Sequence, residues 1–384
     1  MRKIVTLWQN FKQSLRSLLG KEDDLFLTWN EGESASERDT LAAIRALSQE
    51  VRNDPDGIET YLALGNLYRA RGDIERAIQI RNGLIVRPGL DNNLKARIYF
   101  ELGLDYKRGG FIDRAFKAFE EAIAYGGPED VIRQEIAMLY ADSRNFAMAA
   151  KAYAQLGHKT AEAYFLARIS EELFTKKDYD EAIVFAKRAI RSNSKSVEGW
   201  LMRIKVAALN VHGKDMLKTL RRAFTNVEAQ NQFMLLEGLL VHIDEAPCNL
   251  PELGSADSDW RKAMANLVAE VIPVAESTDP LLNYYKGMML LRAEKSHEAG
   301  TYFEKATLSD PAFWAARIEI LSISFAHQST SPMFNEQIRY FLTEGRKAKR
   351  FICSSCGFSS TSLFFSCPRC RSWHSALFRR ELNG

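Results

Sequence analysis

Cysteine is scarce in this chain. Five occur in 384 residues, and four of them fall between positions 353 and 370. So few thiols exclude a disulfide-braced framework and fit a reducing compartment. No run of 18 apolar residues occurs, which speaks against a membrane-spanning helix. The first residues lack the uninterrupted apolar stretch and small-residue cleavage site of a signal peptide. A cytoplasmic address is the expectation. Catalytic motifs are missing as well: there is no H-E-x-x-H, no G-x-S-x-G and no glycine-rich phosphate loop. The histidines (158, 212, 242, 297, 327 and 374) are scattered. Acid pairs such as Glu120-Glu121 and Glu171-Glu172 read as solvated helix faces. The expectation is a protein that is not an enzyme and takes no small-molecule substrate.

Charge is nearly balanced at +3, but it is unevenly spread. From Arg346 onward eight Lys and Arg face one acid, Glu381, so that tail carries +7 and residues 1–345 carry −4. A basic tail on a mildly acidic body implies an acidic partner, or a module kept soluble by its own charge. Acids are absent from Met1–Gly20, which holds Arg2, Lys3, Lys12 and Arg16. Ile4, Leu7, Trp8, Phe11, Leu15, Leu18 and Leu19 recur there at helical spacing. A basic amphipathic helix of this kind suits an anionic membrane surface, or a face of the protein itself. Residues 21–38 are acidic, then small and polar, and read as a linker.

The middle of the chain is periodic. Tyr61, Leu64, Gly65 and Tyr68 precede Gly72, Ala77 and Leu84. Thirty-eight residues on, Leu102, Gly103 and Tyr106 precede Gly110, Ala115, Phe119 and Ala122. Ala137, Tyr140, Ala149 and Tyr153 follow, then Leu166, Leu173, Ala182, Ala186 and Ala189. Trp200 to Ala223 and a unit marked by Gly238 and Val241 are more degenerate. A late unit shows Gly287, Leu290, Ala299, Phe303, Ala306 and Pro311. This is the tetratricopeptide pattern of large and small residues. Gly65 and Gly103 are expected where paired helices cross closely, with Ala77 and Ala115 as the reciprocal small positions. Asp73 and Asp113 are expected as caps or first-turn acids of second helices. Residues 39–53 read as a leading helix and 246–257, with the isolated Cys248, as an insertion. Each helix pair leaves an apolar face that the next pair covers, so the array is expected over 39–345 as a superhelix that binds proteins.

The remaining segment, 346–384, holds Cys353-x-x-Cys356 and Cys367-x-x-Cys370 with ten residues between the pairs. This is tetrathiolate spacing, with both sulfurs of each pair on one tight turn. So short a segment buries too small a core to fold alone, and a metal supplies the missing stability. Gly357 is expected at positive φ, and Pro368 stiffens the second turn. Phe351, Phe358, Phe364 and Trp373 are expected to form an aromatic core over the metal. Zinc and iron both accept four thiolates, and the residues do not choose between them. The fold class is therefore all-α, a tetratricopeptide superhelix with a small rubredoxin-like or zinc-ribbon module at its C-terminal end.

Together these residues resemble a known family. A tetratricopeptide array followed by Cys353-Ser-Ser-Cys356-Gly357-Phe358, Leu363-Phe364, Cys367-Pro368-Arg369-Cys370-Arg371 and Trp373 is similar to the lipopolysaccharide assembly protein B (LapB) family. The first repeat, Leu64 to Asp73 with Arg76-Ala77-Ile78, is similar as well. The resemblance implies a non-enzymatic adaptor on the cytoplasmic side of the inner membrane. It implies presentation of the deacetylase LpxC to the membrane protease FtsH, and so regulation of lipopolysaccharide biosynthesis and assembly. It implies that Cys353, Cys356, Cys367 and Cys370 bind iron or zinc, and that the module docks against the array. The family begins with a transmembrane helix, whereas Met1–Gly20 here is expected as a peripheral anchor. Read without the resemblance, the cysteines also suit a rubredoxin-like electron carrier or a nucleic-acid-binding zinc ribbon.

Overall fold

The computed structural model of the chain describes residues 37–381, except 55, 210–213, 246–256, 274–278, 327, 329 and 330. The amphipathic segment 1–20, most of the linker, Cys248 and most of the insertion lie outside the described residues, as do His212 and His327. The described chain is helical up to Arg346 and ends in a three-stranded sheet. It divides into two compact units, Met1–Asn145 and Phe146–Gly384.

The first unit contains α1 (Glu37–Asn53), α2 (Ile58–Arg71), α3 (Ile74–Ile85), α4 (Asn92–Arg108), α5 (Ile112–Ala124) and α6 (Glu129–Asp142). The punctuation follows from local chemistry. Gly72 closes α2 in the left-handed region, where a side chain is strained. Asp73 caps α3 by accepting the Arg76 N–H, and Asp91 caps α4 through Leu94 N–H at 2.7 Å. Asp113 lies in the first turn of α5, beside the helix dipole's positive end.

The crossing glycines behave as expected, but what they face differs from the expectation. Ala77 and Ala115 are fully buried. Yet a Cβ on Gly103 would sit 2.5 Å from the ring of Phe119, and one on Gly65 would strike the guanidinium of Arg81. The glycine therefore makes room for the large residue 16 positions later, not chiefly for the small one 12 later. Gly287 and Phe303 repeat the relationship, at 2.6 Å, in the second unit. Arg81 thus occupies the core position that Phe119 and Phe303 fill in two other repeats. It is wholly buried, and it lies 3.1 Å from both Glu101 and Asp105. Arg69 completes the cluster at 2.8 Å from Glu101 and 3.1 Å from Asp105.

The second unit runs through α7 (Phe146–Gln155), α8 (Lys159–Thr175), α9 (Tyr179–Ser192), α10 (Val197–Ala207), α11 (Lys214–Asn226) and α12 (Gln232–Glu245). It continues with α13 (Asp257–Val271), α14 (Pro280–Arg292), α15 (Ser296–Ser309), α16 (Trp314–Ala326) and α17 (Pro332–Arg346). Asp279 followed by Pro280 starts α14, and Ser331 followed by Pro332 starts α17, each with its side chain as acceptor. Then come β1 (Phe351–Cys353), β2 (Ser359–Ser360) and β3 (Ala376–Phe378), antiparallel in the order β2-β1-β3. Phe351 pairs with Phe378, and Cys353 with Ala376. Phe351, Cys353, Phe364, Cys367, Ala376 and Phe378 join the same buried cluster as Leu235, Tyr285 and Phe313. The small sheet therefore completes its core with helical side chains, as a segment too short to close a core alone must.

Candidate metal centre

Two turns of matching geometry carry the cysteines. In the first, Cys353 N–H donates to Phe358 O at 2.8 Å and Gly357 N–H to Cys353 O at 2.9 Å. In the second, Cys367 N–H donates to Ser372 O and Arg371 N–H to Cys367 O, both at 2.9 Å. The second turn repeats the first 14 positions later. Gly357 has φ 70°, as expected, and its counterpart Arg371 has φ 59°. The turn demands the left-handed region at both places, and only one place has the residue that enters it freely.

The turns bring all four cysteines together. Cys353 Sγ lies 3.6 Å from Cys370 Sγ, and Cys356 Sγ lies 3.6 Å from Cys367 Sγ. All four sulfurs lie within 4.8 Å of one another. A disulfide needs sulfurs about 2 Å apart. A tetrahedral site with metal–sulfur bonds of about 2.3 Å needs edges of about 3.8 Å, so the donor set fits a single tetrathiolate ion. The electrostatics agree. Burial pushes the Cys353 thiol up, but the Ser375 hydroxyl and the N–H groups of Ser355 and Cys356 outweigh it and bring it down to about 6. For Cys356 the Phe358 N–H lowers the pKa, while burial and the neighbouring thiols carry it up to about 12. Four thiols at this spacing cannot all ionise without a cation among them. Ser375 and Ser372 hydroxyls stand 3.2 Å from Cys353 Sγ and Cys370 Sγ, the outer partners that thiolate ligands usually have.

The expected aromatic core over the sulfurs forms only in part. Phe358 and Phe364 meet edge to face at 5.7 Å. Phe351 instead stacks on Phe233 at 6.5 Å. The Trp373 ring leaves the module although its backbone bridges Ser366: it lies 4.7 Å from Tyr164 and 5.8 Å from Phe165, both on α8. Next to it, His374 donates to Glu198 on α10 at 3.0 Å. The positive φ values of Arg371 and His374 turn this segment outward toward the helices.

Three further contacts seat the module. Phe378 packs on Tyr284 and Phe313 at 5.7 and 5.5 Å. Arg350 donates to the buried Glu237 at 3.1 Å, and Tyr285 donates to the same carboxylate at 2.9 Å. Trp314 Nε1 donates to the Arg379 carbonyl at 2.9 Å. Basic tail residues thus meet acids of the chain's own helices, as the family resemblance implied, where the charge asymmetry alone had pointed to a separate acidic partner. Neither Glu198 nor Glu237 was singled out in the sequence, because nothing local marks a helix acid that is paired more than a hundred residues away.

No family model matches the chain. Among curated proteins, lipopolysaccharide assembly protein B of Escherichia coli K12 is 22% identical over 342 residues, covering 87% of this chain and 84% of that one. The Haemophilus influenzae protein of the same name is 21% identical over 359 residues, covering 85% and 81%. The chain is similar to lipopolysaccharide assembly protein B over most of its length. Among solved structures, a tetratricopeptide repeat protein from Parabacteroides merdae covers 70% of this chain and 98% of its own, at 16% identity and a TM-score of 0.33. Yeast Tom70 covers 88% and 77%, at 14% identity and 0.31. In this LapB-like chain the described helices form a tetratricopeptide array, followed by the four-cysteine cluster. No helix among the described residues is long and apolar enough to cross a membrane.

Proposed function

We infer that the chain is a non-enzymatic adaptor of the LapB type. Its helical array, 39–345, holds protein partners. Its module, 346–384, holds one iron or zinc ion through Cys353, Cys356, Cys367 and Cys370. When bound, the ion supplies a structural crosslink between the two turns. The partners proposed are LpxC and an FtsH-type protease, with the adaptor presenting the first to the second and so regulating lipopolysaccharide synthesis. Residues 1–20 hold the adaptor peripherally on an anionic cytoplasmic membrane surface.

The observation that supports this most is the seating of the four-cysteine module by Trp373, His374, Phe378 and Arg350. A site welded to a helical array by buried contacts suits a clasp that shapes a binding protein. The test is to purify the tagged chain from its cells, count metal per chain and identify what copurifies. Metal near one per chain, capture of LpxC and FtsH, and a raised LpxC level on deletion are expected. Neither partner captured, with the LpxC level unchanged, sinks the reading. A red protein that bleaches reversibly on reduction would favour electron transfer instead.

A further inference from the structure

One cleft of the second unit plays no part in the cysteine centre. Its volume is about 520 Å³, and it is walled by α14, α16, the end of α17 and Arg350. That is within the range of built ligand pockets. Met288, Leu291, Ile318 and Ile323 give it an apolar floor. Its charged wall is made of Arg292, Arg346, Arg350 and Glu319.

The wall carries more donors than acceptors. Arg292 donates through Nε and one Nη to Asp244, at 3.0 and 2.8 Å. Arg346 does the same to Glu319, at 3.0 and 2.7 Å. Arg346 also donates to Ser322 at 3.1 Å, and Arg350 donates to Glu237 and Tyr284. A guanidinium has five N–H donors, so each keeps some for a ligand, while Glu319 is already held on both oxygens. A ligand matched to this wall brings acceptors, and one matched to the floor brings a bulky apolar group.

The helix that supplies Arg346 points to a protein ligand. The last helix, α17, buries only Leu342 and leaves Met333, Phe334, Tyr340 and Phe341 between 50% and 76% exposed. A terminal repeat helix facing only water presents a polar outer face. Exposed aromatic side chains gathered on one short helix mark a surface that another protein covers.

We propose that this cleft is the docking site for an acidic peptide segment of a partner protein, anchored by one or two bulky apolar side chains. The proposal rests on the adaptor reading and names where a partner is held. The anchor fills the floor, and the flanking carboxylates and backbone carbonyls take the donors of Arg292, Arg346 and Arg350. Arg350 leads directly into β1 and Cys353, and its carbonyl accepts the Arg379 N–H at 2.7 Å. The cleft therefore includes a residue that the cysteine module holds in place.

The test uses the full metal-loaded chain and a fluorescein-labelled nonapeptide of Asp and Glu with a central Leu-Phe, followed by anisotropy. Saturable binding is expected. It should weaken by about tenfold in Ala326→Phe, which fills the mouth from an exposed position, and in Arg292→Gln. Replacing Leu-Phe by Ser-Ser, or the acids by Lys, should abolish it. Thermal melts must match the parent chain, and Ser322→Trp serves if Ala326→Phe does not fold. No saturable binding overturns the proposal, as does binding unchanged in both variants or independent of Leu-Phe. A cleft that takes decanoate but not the peptide also overturns it. Loss of peptide binding with partner capture intact removes this site alone. Loss of capture with peptide binding intact removes the adaptor reading alone.

Discussion

The imidazole of His374 and the carboxylate of Glu198 meet at 3.0 Å across 176 residues of chain. Burial disfavours the charged imidazole, but the hydrogen bond and charge of Glu198 outweigh it, with help from Glu228. The pKa therefore lies above the ordinary value. A raised basic group lends stability that is full below the unfolded pKa and is lost as pH rises through the folded pKa. The His374–Glu198 contact should thus add more stability at about pH 6 than at about pH 8.5. Glu198→Gln should lower the melting temperature more at the lower pH. An equal loss at both would show that the pair adds no titration-linked stability.

Arg81 stands where the next repeat has Phe119, and Asp105 stands where the previous repeat has Leu67. Burial lifts the Asp105 carboxyl to about 6 in spite of Arg81 and Arg69. Arg81→Phe alone leaves buried carboxylates short of a partner and should cost about 3–5 kcal/mol. Adding Asp105→Leu should recover much of that loss, because an apolar pair replaces an ion pair that is costly to desolvate. Hydrogen exchange of α2 to α4 measures both. A double variant no more protected than the single one would contradict this account.

Gly357 and Arg371 share one backbone conformation, at φ 70° and 59°. Gly357→Val should therefore weaken its turn by about 1–2 kcal/mol, since a side chain is strained there. The expected readout is faster loss of metal to a chelator. Release at the parent rate would mean that the turn relaxes without cost.

Cys367→Ser removes one of the two buried thiols of the cluster. Losing a structural metal removes stabilisation on the order of 10 kcal/mol. Metal per chain should fall, and the fluorescence that distinguishes the parent from Trp373→Phe should shift as the indole leaves Tyr164. Full metal occupancy in Cys367→Ser would count against the four-thiolate assignment.

The legible features were those whose cause is local. Gly103, Ala115 and Phe119 announce a close helix crossing because helix geometry sets which residues face each other at that spacing. The two C-x-x-C turns announce a common sulfur site because a tight turn points both thiols one way. Trp373 misled, since an aromatic beside a small metal turn packs either into the module or out of it. Arg81 was passed over because its neutralising partners lie on α4, in a different repeat.

The helical repeat, its crossing points and the grouping of the four sulfurs are written in the residues alone, since each follows from backbone periodicity or turn geometry over a few residues. It took the folded chain to show that the module shares its core with α10 to α16, that Trp373 and His374 reach α8 and α10, and that Arg350 lines a cleft. A segment this short cannot bury its own apolar surface, so its partners are chosen by whichever helices the array brings alongside.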